Sequence, residues 1–125
     1  LDLTVSDLAA ATAFYDRVLP VLGVRRIDDV EEGPLWAGAG FELGLQAARR
    51  QAAHDRYAPG LHHLAFVAPA RADVDRAHEE LAAAGVVILD APGDYPQYCE
   101  GYYAFFFEAP DGVKLEYVHT PSWPA

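Results

Sequence analysis

The residues of this sequence best suited to chemistry are an imidazole, His63, and a carboxylate, Glu116. Glu116 lies in the strand-like run Val113 to Val118. Because strand side chains alternate between faces, Leu115 and Tyr117 belong to the apolar face and Glu116 to the other. On the inner surface of a curved sheet that carboxylate would need a partner, since burying an unpaired charge is costly. An imidazole and a carboxylate that converge in one pocket are suited to a divalent metal.

His63 alone is a weak signal. It stands in the run His62 to Phe66, and a single histidine in an apolar strand is more often structural than functional. Two protein ligands also make a poor metal site, so a third ligand is expected. The arrangement of the surrounding elements indicates where that third ligand should lie.

Two amphipathic helices are predicted. The first follows the N-capping residues Ser6 and Asp7, and Pro20 is expected to end it. The second runs from about residue 72 to 84, with Gly85 as its C-terminal cap.

Runs rich in Val, Ile, Phe and Tyr surround both helices and predict strands. The predicted strands are Leu1 to Val5, Val24 to Val30, Pro34 to Ala37, Phe41 to Ala47, Leu61 to Ala68, Val86 to Leu89, Tyr102 to Phe107 and Val113 to His119. The pair Asp111-Gly112 predicts a hairpin turn before the last strand. The element order is therefore β-α-β-β-β twice. Module one spans about 1–48, a linker about 49–60 and module two about 61–120, within a single domain of 125 residues.

The two modules align as a weak internal repeat. Phe41 to Gln46 matches Val113 to Val118, which puts Gly44 opposite Glu116. Leu1 to Val5 matches Leu64 to Ala68, so the counterpart of His63 is the residue immediately before Leu1. The repeat therefore predicts the third ligand at that preceding position.

Composition excludes several functions. The formal net charge is −10, which disfavours binding to nucleic acid and to anionic membranes. No apolar run is long enough to span a bilayer. Cys99 is the single cysteine, so no intrachain disulfide can form, which is typical of a cytoplasmic protein.

Three blocks of the sequence resemble the vicinal oxygen chelate superfamily, which includes glyoxalase I, fosfomycin-resistance proteins, extradiol dioxygenases and bleomycin-resistance proteins. The blocks are Val5 to Leu8 with Phe14-Tyr15, Gly60 to Phe66, and Phe107 to Glu116. The resemblance implies an α+β fold in which two βαβββ modules form a curved mixed sheet around an open, metal-binding cup, commonly within a homodimer. Ala109 departs from the family pattern, which often has Asp at that position.

The resemblance also implies a ligand set. The family histidine of the fifth strand corresponds to His63, and the family glutamate of the last strand corresponds to Glu116. The fourth-strand ligand of glyoxalase I corresponds to Gly44, which has no side chain to bind metal, so glyoxalase I itself is disfavoured. His62 is expected on the opposite face, as a packing or surface residue. The metal stays open between zinc, iron, manganese and nickel.

Aromatic residues are candidates for the substrate pocket. By alternation and by the resemblance, Tyr102 and Phe106 would face the cup, where Tyr102 could donate a hydrogen bond to substrate or act as a catalytic acid. Trp36 and Tyr57 could form a wall for an aromatic ligand. The simpler alternative is that these aromatic side chains fill the core or an interface.

Two functions are compatible with these residues. The first is a divalent-metal-dependent enzyme of lyase, isomerase, dioxygenase or transferase type, whose metal chelates vicinal oxygens of a small-molecule substrate. The alternative is a non-catalytic protein that sequesters an antibiotic in an aromatic cup. Retention of drug binding when the metal is chelated would distinguish the second from the first.

Overall fold

The structure is a computed structural model that describes residues 1–27, 31, 33–38 and 40–121. The chain forms two compact units, Leu1–His54 and a second unit that begins at Asp55. The division between them falls inside the stretch expected to be a linker. That both modules belong to one domain stays a prediction. In the described parts of the chain, no helix has the length and apolar character needed to cross a bilayer.

The first unit is a βαβββ module. Its elements are β1 (Asp2–Val5), α1 (Leu8–Val18), a short 3-10 turn (Leu19–Leu22), β2 (Arg25–Ile27), β3 (Leu35–Gly38) and β4 (Phe41–Ala47). The strand order is β1-β4-β3-β2, with β1 parallel to β4 and the other neighbours antiparallel. The expected strand from Val24 to Val30 is present as β2, and residues 28–30 lie outside the described residues.

The second unit repeats this plan. Its elements are β5 (Leu64–Val67), α2 (Arg71–Ala83), β6 (Ile88–Asp94), β7 (Tyr103–Glu108), a 3-10 turn (Pro110–Gly112) and β8 (Lys114–His119). The strand order is β5-β8-β7-β6, with β5 parallel to β8. The predicted fold class, α+β with two βαβββ modules, is confirmed.

Local sequence explains where the elements begin and end. The Asp7 side chain caps α1 by accepting a hydrogen bond from the backbone N–H of Ala10 at 3.0 Å. The α-helix ends at Val18, two residues before Pro20, and the 3-10 turn closes at Gly23 with φ +83°. At the predicted hairpin turn, Asp111 and Gly112 have φ values of 68° and 72°.

Strand β6 is longer than predicted. The expected strand was Val86 to Leu89, whereas β6 continues to Asp94. The added residues include Asp90, Pro92 and Gly93, which are typical of turns. They pair with β7 through two register shifts, and β6 is an edge strand, the position in a sheet that tolerates proline.

The strand pairing reproduces the internal repeat. In the first unit Asp2 pairs with Gly44, and in the second Ala65 pairs with Glu116. These pairs are equivalent in the register that aligns Leu1 with Leu64 and Gly44 with Glu116. The predicted equivalence of Gly44 and Glu116 is therefore confirmed by the hydrogen-bonding register.

The second sheet has two buried faces of different character. Phe105, Phe107, Leu115 and Tyr117 are buried on the face that α2 covers. The opposite face carries a buried cluster of Tyr102, Ala104, Phe106 and Val118. Glu116 is also buried there, and it pairs with Phe106 on β7 and with Ala65 on β5. We call this opposite face, with Glu116 at its centre, the site face.

Candidate metal centre

His63 and Glu116 are in contact, as the sequence predicts. The Nε2 of His63 lies 3.0 Å from Oε1 of Glu116. The Glu116 side chain is 1% exposed and that of His63 is 35% exposed. Glu116 is central in the sheet on β8, and His63 directly precedes the neighbouring β5, so parallel pairing of the two strands brings the side chains together. The buried carboxylate therefore has the partner that its burial requires.

Tyr102 provides the second contact of Glu116. Its hydroxyl donates a hydrogen bond to Oε2, the carboxylate oxygen that His63 does not contact. Burial raises the pKa of Tyr102, and the hydrogen bond and the negative charge of Glu116 raise it further. Tyr102 is therefore a neutral donor near pH 7. In this structure its acceptor is Glu116, and donation to substrate or a role as catalytic acid stays a prediction.

His62 departs from its expected orientation. It was expected to face away from His63, whereas the Nδ1 atoms of the two rings lie 2.8 Å apart. The alternation argument fails because β5 begins at Leu64, so neither histidine belongs to the strand. The pKa of His62 is lowered by desolvation and then by the charges of His63, Lys114 and Arg56.

Aromatic rings pack beside the His63–Glu116 pair. Phe106 lies edge-on to His63, with ring centroids 6.1 Å apart, and contacts Tyr95 at 5.6 Å. Tyr95 stacks on Tyr98 at 5.8 Å, and Tyr98 also contacts Tyr102. Phe106 thus lies beside the pair, and its role in a substrate pocket stays a prediction. Tyr98 is 63% exposed, so this aromatic cluster has an accessible outer surface.

The donor set fits a divalent metal only in part. One imidazole nitrogen and one carboxylate oxygen converge, and such N and O donors suit zinc, iron, manganese or nickel. Among the described residues, no group of three or more His, Cys, Asp or Glu side chains is arranged to hold a metal. A complete centre therefore requires at least one further ligand from outside this pair.

In the first unit, the position equivalent to Glu116 is Gly44. A Cβ built on Gly44 would overlap Oδ1 of Asp2, so the Asp2 carboxylate occupies the space of a side chain at position 44. A cavity of about 230 Å³ adjoins the two residues. The β4 position equivalent to Glu116 thus carries no ligating side chain, and the distinction from glyoxalase I stays a prediction.

Trp36 is not placed in a pocket. The indole is 0% exposed and packs on Tyr15 of α1, and its Nε1–H donates to Oδ1 of Asp16 at 3.0 Å. A ligand cannot touch a side chain enclosed in this way, so the substrate-pocket prediction for Trp36 is corrected to a core position. Tyr57 is 82% exposed and lies edge-on to His62, with ring centroids 5.8 Å apart.

The sequence analysis did not identify two cationic groups near the site. The ammonium of Lys114 lies 4.4 Å from the centroid of the Phe106 ring, and Arg56 donates to the carbonyl of Gly112 at 3.2 Å. Lys114 had a usable signal, since it precedes Glu116 by two residues and must share its face. Arg56 had none, because it lies in the stretch expected to be a linker.

Comparison with known proteins agrees with this fold. The sequence profile of the glyoxalase/bleomycin resistance protein/dioxygenase superfamily matches residues 1–117. The uncharacterized protein YqjT of Bacillus subtilis (strain 168) is 33% identical over 121 residues, which cover 94% of each chain.

Solved structures show the same architecture. A Bacillus halodurans protein provisionally assigned as a glyoxalase superposes with a TM-score of 0.78 at 26% identity, covering 96% of this chain and 92% of its own. A glyoxylase/bleomycin resistance protein/dioxygenase domain from Frankia sp. EAN1pec gives a TM-score of 0.74 at 22% identity, covering 98% and 90%, a likeness of fold alone. With the repeated module and the profile match over nearly the whole length, the chain belongs to the glyoxalase/bleomycin resistance protein/dioxygenase superfamily.

Proposed function

We propose that this chain is a metal-dependent enzyme that acts on a small molecule, with His63 and Glu116 as two ligands of a divalent cation. The observation that carries the proposal is the 3.0 Å separation of His63 Nε2 and Glu116 Oε1, at a carboxylate that is 1% exposed. A nitrogen and an oxygen donor this close can share a proton or converge on one cation. Members of the superfamily commonly use divalent metals, which supports the same assignment.

The surrounding residues would prepare these two ligands. Tyr102 donates a hydrogen bond to one oxygen of Glu116, and the other oxygen faces His63. His62 is hydrogen-bonded to the Nδ1 of His63. A divalent cation bound there would act as a Lewis acid that stabilises negative charge on vicinal substrate oxygens. The reaction class stays open among lyase, isomerase, dioxygenase and transferase, and Gly44 argues against glyoxalase I.

The repeat supports a position for a third ligand. The backbone N–H of Gly44 donates to the carbonyl of Leu1 at 2.9 Å, so the β1–β4 register extends to the start of the given sequence. A residue immediately before Leu1 would occupy the position equivalent to His63. The identity of that residue stays open, and determination of the encoded residue shows whether it offers a ligating side chain.

Metal analysis tests the two visible ligands. The full-length protein, His63→Ala and Glu116→Ala are each dialysed against zinc, iron(II), manganese or nickel, and the bound metal is counted per chain. The matched controls are His78→Ala and Glu79→Ala on α2, which remove the same side chains away from the site face. We expect metal in the wild type and both controls and its loss in both site variants. Equal metal content in all five proteins would overturn the proposal.

A second function, sequestration of an antibiotic without chemistry, is favoured by the aromatic cluster. Tyr98 is exposed and stacked on Tyr95, which offers a flat surface to a planar ligand. Bleomycin binding measured with and without a chelator of the protein-bound metal separates the two functions. Affinity that is unchanged by the chelator and lost in Tyr98→Ala would favour sequestration. Loss of affinity with the metal would contradict it.

The proposal includes a homodimer in the cytoplasm. The superfamily resemblance implies the dimer, and a single cysteine fits a reducing compartment. Sedimentation equilibrium of the purified protein tests the oligomeric state, and a monomer at micromolar concentration would contradict it.

A further inference from the structure

Two cationic side chains beside the site face lack an anionic partner. The sequence has nine basic residues besides histidine, all of them described. Arg56 and Lys114 are partly buried, and the other seven are exposed. Arg26, Arg71 and Arg76 each pair with a carboxylate, whereas no ion pair within the described chain involves Arg56 or Lys114. Withdrawal of a cation from water without a counter-charge is costly, so this arrangement requires an explanation.

Lys114 is directed toward the site. Its cross-strand partner on β7 is Glu108, which would be the natural counter-ion on the same face. The ammonium instead lies over the Phe106 ring, and this ring packs edge-to-face with His63. No ion pair in the described chain joins Lys114 to Glu116 either, and the Glu116 oxygens contact His63 and Tyr102. The charge of Lys114 is therefore available to a bound ligand.

Arg56 brings a second cation to the turn that leads into β8. One guanidinium N–H donates to the carbonyl of Gly112, two residues before Lys114. Its Nε is buried and has no hydrogen-bond partner in the described structure. An unpaired buried donor of this kind is unusual, and a bound water or ion commonly explains it. The guanidinium also lies 5.6 Å from the Tyr57 ring, which contacts His62.

Two of these groups share one face of β8, because Lys114 and Glu116 are two residues apart in the strand. Gly112, whose carbonyl accepts from Arg56, lies two residues before Lys114 in the 3-10 turn that leads into β8. Lys114 and Arg56 thus bring two positive charges near the candidate metal ligand in a chain with a net charge of −10. The lowered pKa of His62, to which both cations contribute after desolvation and His63, is consistent with their proximity.

We propose that Lys114 and Arg56 form a subsite that binds an oxyanion of the substrate, a carboxylate or a phosphate-type group, beside His63 and Glu116. An ammonium and a guanidinium are the groups that proteins use for such oxyanions. The inference rests on the proposed function in assigning the oxyanion to a substrate, and it names the substrate class as anionic. Neither cation is assigned a role in holding the metal.

Anion binding to metal-free protein tests the subsite separately from the metal. Inorganic phosphate, methylphosphonate and acetate are titrated into full-length wild type, Lys114→Gln and Arg56→Gln, and binding is followed by amide chemical shifts. Arg76→Gln on α2 is the matched control, since it removes one positive charge from the same unit away from the site face. Lys114→Arg keeps the charge and shows whether charge alone suffices.

The expected result is that at least one probe binds the wild type and shifts the amides of Tyr57, His62 and Lys114. Lys114→Gln and Arg56→Gln should weaken binding about tenfold or more, while Arg76→Gln changes it less than about twofold and Lys114→Arg retains most of it. The probe that binds more tightly identifies the carboxylate or the phosphate-type group as the chemistry. Unchanged binding in Lys114→Gln and Arg56→Gln, or no binding of any probe at millimolar concentration, overturns the subsite. Either failure together with normal metal content would leave the metal proposal standing, so the two proposals fail separately.

Discussion

The Nδ1 atoms of His62 and His63 lie 2.8 Å apart, so one of these adjacent rings donates a hydrogen bond to the other. Because His63 directs its Nε2 to Glu116, this contact leaves both nitrogens of the His63 ring engaged. A ring held at both nitrogens has a fixed orientation. Residues that orient a metal-binding histidine through its second nitrogen commonly affect metal affinity.

The first prediction concerns this orientation. His62→Ala should weaken metal binding about 10- to 100-fold while it leaves the stoichiometry at one metal per site. His62→Gln, which can still donate to or accept from His63, should recover part of the loss. Competition with a chelator of known affinity measures both. The same affinity in His62→Ala as in the wild type would show that the ring contact has no effect on the ligand.

The second prediction concerns the hydrogen bond between Tyr102 and Glu116. Tyr102→Phe leaves Oε2 of a carboxylate that is 1% exposed without its donor, and should lower the free energy of unfolding by about 1–3 kcal/mol. The control is Tyr103→Phe, since the Tyr103 hydroxyl donates to Asp75 at the exposed surface. That variant should lose less than about 1 kcal/mol. Urea unfolding of the metal-free proteins measures both, and an equal loss in the two variants would contradict the assignment.

The third prediction is a pH dependence. The pKa of Tyr102 is raised above 10.0 by burial and by Glu116, so above pH 10 the folded protein holds a proton that the unfolded chain releases. The contribution of this phenol to stability is fully present below pH 10 and is lost as the pH rises further. The difference in unfolding free energy between wild type and Tyr102→Phe should therefore shrink above pH 10. Urea unfolding at intervals from pH 8 to 11 measures it, and a constant difference would contradict the raised pKa.

Much of the fold follows from short-range sequence signals. The β-branched and aromatic runs bounded by Gly, Pro and Asp marked all eight strands, and the Asp7 cap marked the start of α1. The end of β6 did not follow, because Asp90, Pro92 and Gly93 have turn propensities. Their pairing at the sheet edge depends on β7, which local sequence does not encode.

The candidate site was predictable where alternation and the repeat agreed. They placed Glu116 and Phe106 on one face, and the structure pairs these two residues directly. Alternation gave the wrong orientation for His62, because it was applied beyond the start of β5. Arg56 was not predictable, since its position depends on the path of an irregular segment.

The repeat explains the correction at Trp36. Leu35 pairs with Gly44 just as Phe106 pairs with Glu116, so Leu35 is the counterpart of Phe106. Trp36 is the counterpart of Phe107, which lies on the helix-covered face. Consistent use of the register would have assigned Trp36 to the core, and its size and aromaticity were not sufficient reasons to place it in a pocket.

The fourth prediction separates these two roles. Trp36→Phe removes the indole N–H that donates a hydrogen bond to Asp16, and it leaves space beside Tyr15. It should therefore lower the free energy of unfolding by about 1–3 kcal/mol. It should change metal and anion affinity by less than about twofold, because Trp36 is fully buried in the first unit and its contacts are with α1 and Arg26. Phe106→Leu should instead weaken anion binding by more than about twofold, because it removes the ring over which Lys114 lies. It keeps an apolar side chain of similar size at this position. Urea unfolding and anion titration of both variants decide between the roles. A large loss of anion binding in Trp36→Phe with stability unchanged would restore Trp36 to the ligand site.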